Sequence, residues 1–507
     1  MTKRLLWAGF GILATLVGMA AGHLVAALLN PAASPVLAVG STVIDLTPTP
    51  AKEWAIRTFG DSDKAVLIGS VMLGALVLAA VAGLLARRRF ALGAGVLFLL
   101  VAAAALMALL RPESTAIDIV AAIAAGIVGV AALALLGRFA RREARDQTDS
   151  DQVETGPSRR GVLIAAGALA AAAAALAGAG QWISGRRTSP ASVTLPEAAD
   201  PAPALPQDLR AKVPGISRLQ TRNSDFYRVD TRLTLPVIDL DDWTLTVDGD
   251  VENELTFTYD DLLEMPLIER DITLTCVSND VGGPYVGGAR WLGVPLSDLL
   301  DRAGVGSRAD QIFSTDVDGM TISTPLEMAL AQKDAMLALG MNGQPLPEEH
   351  GFPARMVIPG LYGFISATKW ISRMTLTTYD EKRAYWTERD WATDAPIKIA
   401  SRIDTPQSFA TIRPGETFVG GVAWAQTRGI GKVEVKVDGG AWQEAELGPE
   451  VGVDYWRQWY FPWTAEPGDH DISVRATDLD GRVQTDAKAA PFPNGSSGLQ
   501  RILVTVS

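Results

Sequence analysis

One cysteine, Cys276, stands at the end of the apolar, β-branched run Ile272-Thr273-Leu274-Thr275 and is followed by Val277-Ser278-Asn279-Asp280. The chain has no second cysteine, so this thiol cannot close an intrachain disulfide. It is either an inert core side chain or a group that does chemistry. Three potential cations, His350, Arg355 and Lys369, lie within twenty residues of each other in a chain of net charge −12. Arginine offers a bidentate contact and lysine a point charge, a pair suited to a phosphate. Any one of them alone reads as a solvated strand end or a turn residue. Between the thiol and the cations come Gly282-Gly283-Pro284, Gly287-Gly288-Ala289-Arg290-Trp291 and Gly293-Val294-Pro295-Leu296. Repeated glycine lets backbone approach a bound group closely, with N–H groups facing its oxygens.

The elements that must position these residues are short. Trp243 to Val247 alternates as a strand does, with Asp248-Gly249-Asp250 as its turn. Asp271 to Cys276, Gln311 to Ser314 and Arg355 to Ile358 read as further strands, and Tyr259 to Met265 and Leu296 to Ala303 as short helices. After Ile397 the pattern changes to short alternating runs with turn signals, such as Lys432 to Val437 before Asp438-Gly439-Gly440. That rhythm predicts a β-sandwich of about 110 residues. Its run Tyr455-Trp456-Arg457-Gln458-Trp459-Tyr460-Phe461-Pro462-Trp463 is dense enough in aromatics to pack a core or an interface. Arg457, within it, is placed to reach the mouth of the site.

The chain has 507 residues, enough for about three domains, and its mean hydropathy of +0.17 is unevenly spread. Five apolar stretches are long enough to cross a bilayer, which takes about 20 residues. They run from Leu5 to Leu29, Ala65 to Ala86, Phe90 to Leu110, Ile117 to Leu136 and Gly161 to Ile183. Lys3 and Arg4, then Arg87 to Arg89, then the arginines between Arg138 and Arg160 fall on one side of a five-helix count. The positive-inside rule makes that side cytoplasmic and places everything after Ile183 outside it. Ser158-Arg159-Arg160-Gly161-Val162-Leu163 resembles a twin-arginine export signal. The acidic stretch from Asp146 to Glu154 reads as a solvated loop, and residues 186–215, rich in Pro, Ala and Ser, as a linker. The acidic balance excludes a nucleic-acid partner.

The combination T-C-V-S-N, G-A-R-W-x-G-V-P-L, M-N-G-x-P-L-P-x-x-H-G-F-P-x-R and K-W, with Arg222 to Arg228 upstream, resembles the sulfite oxidase family of molybdopterin oxidoreductases. The resemblance implies a multi-domain fold. An all-α transmembrane bundle (1–185) and the linker (186–215) precede an α+β molybdopterin domain (216–393). An immunoglobulin-like β-sandwich (394–507), of the kind that often dimerises in this family, follows. It further implies a molybdenum–molybdopterin cofactor, with Cys276 as the thiolate ligand of molybdenum. His350 and Arg355 would hold the pterin phosphate with Thr368 and Lys369 nearby, and Asn223, Tyr227, Arg228 and Thr315 would line the cofactor. The reaction would be oxygen-atom transfer on a small-molecule substrate, by a multi-pass plasma-membrane protein with membrane lipid around its helices and its catalytic domain extracytoplasmic.

Two departures from the family pattern bear on the substrate. Sulfite-oxidising members carry paired arginines where this chain has Asp280-Val281, and a tyrosine where it has Leu339. Both argue against sulfite and toward a neutral or larger substrate, such as an S- or N-oxide taken in the reductive direction. The chain has three histidines, His23, His350 and His470. With His350 on the cofactor, a bis-histidine haem among the apolar segments is not expected. Electrons would then pass to a separate membrane or soluble carrier. The reading from another class is a non-catalytic membrane scaffold that binds a partner through the sandwich.

Overall fold

The computed structural model describes residues 3–48, 51, 54–55, 58–59, 62–111, 114–149, 158–184 and 193–507. The chain divides into two compact units. One comprises Met1–Ser189 with Thr231–Asp239, the other Pro190–Asp230 with Leu240–Ser507.

The first unit is helical: α1 (Lys3–Leu29), α2 (Pro35–Leu46), α3 (Asp63–Arg88), α4 (Phe90–Leu109), α5 (Ile119–Asp149) and α6 (Ser158–Ser184). Five of its helical segments, all but α2, are long and apolar enough to cross a membrane. In lipid no hydrophobic force drives helices together, so close backbone approach through small residues does that work. Gly11 of α1 faces Gly83 of α3. A Cβ on Gly11 would lie 1.9 Å from the Ala79 carbonyl oxygen, and one on Gly83 would lie 1.9 Å from that of Trp7. The helix α5 outruns its apolar part because Ala140-Arg141-Arg142-Glu143-Ala144-Arg145 are good helix formers. Residues Asp146 to Asp149, expected in a loop, therefore continue it. Residues 150–154 of that acidic stretch, and 186–192 of the expected linker, lie outside the described residues.

The second unit begins with strands β1 (Thr244–Gly249) and β2 (Leu255–Thr258), helix α7 (Tyr259–Leu263), and strands β3 (Ile268–Thr275) and β4 (Val286–Pro295). Helix α8 (Leu296–Ala303), strands β5 (Gln311–Asp316) and β6 (Thr321–Pro325), and helix α9 (Leu326–Ala331) follow. Then come β7 (Met336–Met341), β8 (Gln344–Pro345), β9 (Arg355–Val357), α10 (Gly363–Ser366) and β10 (Ile371–Thr377). They form a mixed sheet, ordered β2-β1-β10-β5-β6, and an antiparallel sheet, ordered β3-β4-β7-β8 with β9 also on β7. The second sheet packs a core of Phe226, Ile272, Leu274, Trp291, Met341 and Phe352. Nine more strands, β11 (Ala400–Thr405) to β19 (Arg501–Val506), make sheets of four and five strands. Val419, Val433, Trp459 and Ile472 fill the core of this sandwich. Trp459 of the aromatic run is fully buried there.

Two expectations need correction. The stretch read as a linker is docked along much of its length: the Ala199 N–H donates to the Leu267 carbonyl, and Val213 is fully buried with Ile216 against Tyr460. These apolar side chains, not the surrounding Pro and Ala, decide its fate. Arg457 does not reach out to the site. Its guanidinium donates to the Gly448 and Ile430 carbonyls and pairs with Glu450, which holds it on the sandwich.

Candidate active site

Cys276 is the first residue beyond β3 and is 7% exposed. Its N–H donates to the Tyr285 carbonyl at 3.0 Å, and its own carbonyl accepts from Asn279 N–H at 3.0 Å, which bends the chain back at once. The Tyr285 N–H then donates to Asn279 Oδ1 at 2.8 Å and closes the loop. Burial pushes the Cys276 thiol up. The Ser278 N–H and hydroxyl, which bond the sulfur, and the nearby charge of Lys369 oppose that rise. Lys369 is thus near enough for its charge to act on the thiol.

His350 ends the 3₁₀ turn Glu348–His350, and Gly351 follows at φ +113°. A Cβ at Gly351 would lie 3.1 Å from the Cβ atoms of both Arg355 and Lys369, so the glycine lets the three cationic residues converge. His350 Nε2 donates to the Asn223 carbonyl at 2.8 Å. A carbonyl can only accept, so neutral His350 carries its proton there and leaves Nδ1 as an acceptor. Burial, assisted by Arg355 and Lys369, pushes its pKa down to about 4. An anion beside it would pull the pKa back up.

Arg355 opens β9 and is 6% exposed. Its Nη1 donates to the His350 carbonyl at 3.0 Å and Nη2 to that of Ala367 at 3.5 Å. The guanidinium carbon stands 5.1 Å from the Trp291 ring centre. The Nε is buried without a hydrogen-bond partner, and no carboxylate among the described residues pairs with Arg355. Burial pushes its pKa down to about 10. A desolvated guanidinium in this state costs several kcal/mol unless an anion joins it.

An isolated antiparallel bridge sets Lys369 beside Arg355. Lys369 Nζ donates to Asp230 Oδ2 at 2.8 Å and to the Glu349 carbonyl at 3.1 Å. Burial lowers the Lys369 pKa and Asp230 works against that shift. Arg228 Nε also donates to Asp230 Oδ2, at 2.8 Å. Arg228 and Lys369 thus share the carboxylate of Asp230, and Arg355 lies beside Lys369, a cationic cluster that suits an anion such as phosphate.

Of the remaining expected residues, Asn223 is gathered in. Its Oδ1 accepts from Asn342 Nδ2 at 2.7 Å, and its Nδ2 donates to the Met341 carbonyl at 3.3 Å. Tyr227 is half-buried and stacks on Phe226 at 5.1 Å; burial first, then Cys276, raises its phenol, and Arg355 opposes. Thr368 Oγ1 lies 2.6 Å from Ser314 Oγ, which itself donates to the Ile322 carbonyl. Thr315 is set apart. Successive strand residues face opposite ways, so its side chain leaves β5 on the face away from Ser314 and Thr368. Asp230, Trp291 and Asn342 belong to the site although sequence reasoning gave them no role. Trp291 and Asn342 stand within the G-A-R-W and M-N-G motifs, whereas Asp230 had no local signal; Asn342 sits at φ +53°, and its side chain ties Thr221 to Arg290.

No group of three or more His, Cys, Asp or Glu side chains among the described residues could hold a metal. A metal here would have to arrive with most of its ligands, and one thiol near a cluster of buried cations suits a metal carried by an organic phosphate-bearing group. Leu339 is fully buried in β7, and Asp280 is on the surface.

Residues 232–386 match the family described as oxidoreductase molybdopterin binding domain. Mitochondrial sulfite oxidase from Rattus norvegicus is 31% identical over 306 residues, covering 51% of this chain and 56% of that protein. The Mus musculus enzyme is 32% identical over 310 residues with the same coverage. The chain thus spans a little over half the length of these relatives. Nitrate reductase [NADH] 2 from Nicotiana tabacum is 29% identical over 47% of this chain and 33% of its own. Among solved structures, the sulfane dehydrogenase SoxCD from Paracoccus pantotrophus is similar at 24% identity and a TM-score of 0.48, covering 54% of this chain and 78% of that one.

Proposed function

Because the chain belongs to the sulfite oxidase family of molybdopterin-dependent oxidoreductases, we propose that it transfers an oxygen atom to or from a small-molecule substrate, with Cys276 as the protein's ligand to molybdenum. The observation that carries this reading is Arg355. It is a buried guanidinium with an unbonded Nε and no carboxylate, bridged to Lys369, whose charge acts on the thiol. When bound, the molybdenum–molybdopterin group supplies the oxygen-atom and two-electron chemistry. The chain supplies the rest. Arg228, Arg355 and Lys369 hold the phosphate, and Asp230 keeps the lysine and Arg228 in place. His350 and Asn223 fix the turn that meets the cofactor, and the Ser278 N–H and hydroxyl stabilise the Cys276 thiolate. Five helices anchor the protein in the plasma membrane, the Arg159-Arg160 flank acts as an export signal, and the catalytic unit is extracytoplasmic.

Sulfite is not the favoured substrate. The positions of the family's paired arginines hold Asp280, an exposed carboxylate, and Val281, and neither attracts an anion. Leu339, fully buried and without a hydroxyl, cannot replace the tyrosine. These observations favour reduction of a neutral S- or N-oxide as the second reading. Electrons come from or go to a membrane or soluble carrier outside this chain.

The test is molybdenum content per chain by elemental analysis, on wild type and Cys276→Ser from a host able to make the cofactor. The expected result is near-stoichiometric metal in wild type, and loss of the Mo(V) resonance and turnover in the variant. A folded wild type without molybdenum would overturn the proposal in favour of a non-catalytic scaffold.

A further inference from the structure

The loop that carries the thiol has two walls. One is its own sheet: Ile272 and Leu274 of β3 face the core around Trp291. Thr273 and Thr275 leave the strand on the opposite face. There the sandwich takes hold. The Thr273 carbonyl accepts from Gln426 Nε2 at 3.0 Å, its Oγ1 accepts from Trp456 N–H at 2.8 Å, and its N–H donates to the Asp454 carbonyl at 3.0 Å. Past the cysteine, Ser496 Oγ donates to the Asn279 carbonyl at 2.6 Å. Arg402 Nη1 donates to the Gly283 carbonyl at 2.9 Å, and Arg402 is itself fixed by Asp404 and Ser217. Every one of these grips on the loop comes from a residue outside its own two sheets.

Between the two walls lies a cavity of about 20 Å³, lined among others by Thr275, Asn279, Tyr362, Ser401 and Ser496. That is room for one water, which needs two or more polar partners. Thr275 Oγ1 is buried there and has no hydrogen-bond partner in the protein, on a residue 2% exposed. Leaving such a hydroxyl unpaired is costly, and the lining offers an amide and further hydroxyls to complete a bridge.

We propose that the sandwich positions the Cys276 thiol, acting through Ser496, Arg402 and one buried water bound at Thr275. The proposal rests on Cys276 being the molybdenum ligand. The direction of the sulfur relative to the metal then depends on how the loop is held from behind. Outer groups that orient a metal ligand change activity by about 10-fold or more when removed. A merely structural grip would change stability and leave the metal's electronic signature untouched.

The test uses the full chain in detergent, with Ser496→Ala and Thr275→Val, and with Ser496→Thr and Thr275→Ser as variants that keep a hydroxyl. Expected are full molybdenum content, shifted Mo(V) g-values and a kcat lowered about 10-fold at unchanged KM for the first pair, and wild-type values for the second. Electron density should show a water within hydrogen-bond reach of Thr275 Oγ1 in wild type and Thr275→Ser, and none in Thr275→Val. Unchanged g-values and kcat in Ser496→Ala and Thr275→Val, at full metal content, would overturn the positioning role. A dry cavity in wild type would overturn the water. In metal-free protein the lone cysteine provides an independent readout, since a loosened loop should let a small alkylating reagent react faster with Cys276. Equal rates in Ser496→Ala and wild type would sink the proposal even if the protein proved to bind no molybdenum.

Discussion

The two sides of the candidate site are built on opposite charge logic. On one side, Arg228 and Lys369 share the carboxylate of Asp230, and Arg355 beside Lys369 keeps an unbonded donor. On the other, the thiol loop is held by backbone carbonyls, hydroxyls, an amide and one guanidinium, Arg402, which Asp404 balances, and its nearest ionisable neighbour in sequence is the exposed carboxylate of Asp280. The difference teaches which side holds and which side reacts. Fixed cations are useful against a group that stays bound through every turnover. A charge-balanced wall is useful where substrate and product must exchange.

The largest expected effect comes from removing the unpaired charge. Arg355→Met takes away charge-assisted hydrogen bonds worth about 1.5–3 kcal/mol, so affinity for the cofactor should fall about 10–100-fold. The same change removes an uncompensated buried ion, so the cofactor-free protein should melt at a higher temperature than wild type. Retention of molybdenum after dilution and thermal melting of the cofactor-free form measure the two. Lower Tm with unchanged retention would make Arg355 a structural residue and erase the contrast.

Acid should act on the cationic side next. The pKa of His350 falls from 6.5 unfolded to about 4 folded, because burial disfavours its charged form. The folded state therefore binds fewer protons between those values, and stability is lost as pH drops from 6.5 toward 4. At 1.36 kcal/mol per unit the loss by pH 5 is roughly 2 kcal/mol. Urea unfolding of cofactor-free wild type and His350→Gln at pH 7 and pH 5 isolates it, the variant showing the shallower decline. Added inorganic phosphate should flatten the wild-type slope if it binds beside the ring, since an anion favours the charged histidine. Lys369 follows the same sign at higher pH: burial lowers it below its ordinary value, and the penalty for its charge eases as pH rises toward that value.

On the reactive side the expected change is smaller. Asp280 is exposed, so its repulsion is screened, and Asp280→Asn should strengthen inhibition by sulfate only a few-fold at low salt. Inhibition constants in low and high salt measure this. No change at low salt would mean that anions approach the thiol by a path away from Asp280, and the charge contrast would then be confined to the cofactor side.

What the sequence made legible follows from how local each feature is. The apolar helices were readable because a bilayer demands a length that hydropathy reports directly. The strand into Cys276 was readable because Thr, Ile and Leu in alternation have few other uses. The pairing of Arg355 with Lys369 was suggested by types alone, but the bridge that sets them side by side joins residues fourteen apart through an intervening loop. Asp230 and Ser314 carry no local mark, and the G-A-R-W motif does not say what Trp291 faces; only the meeting of separate strands and loops gives them a part. The grip of the sandwich on the thiol loop was invisible for the same reason, since Ser496 lies 217 residues from its partner Asn279.

Thr315 gives the smallest effect and the sharpest check on side-chain direction. The family resemblance implies that it lines the cofactor. Ser314 bonds Thr368, and Thr368 adjoins Lys369. Thr315 points the other way and sits opposite Arg373, an exposed residue whose guanidinium pairs with Asp248. Cross-strand neighbours share a face, so Thr315 belongs to that wetter face. Thr315→Val should then leave cofactor retention unchanged and stability within about 0.5 kcal/mol. Thr368→Val should cost about 1 kcal/mol through the lost bond to Ser314 and loosen the segment that carries Lys369. Urea unfolding and molybdenum retention on the two variants decide it. A retention loss in Thr315→Val as large as in Thr368→Val would show that the cofactor reaches both faces of β5, and the charged pocket would have to be redrawn around that strand.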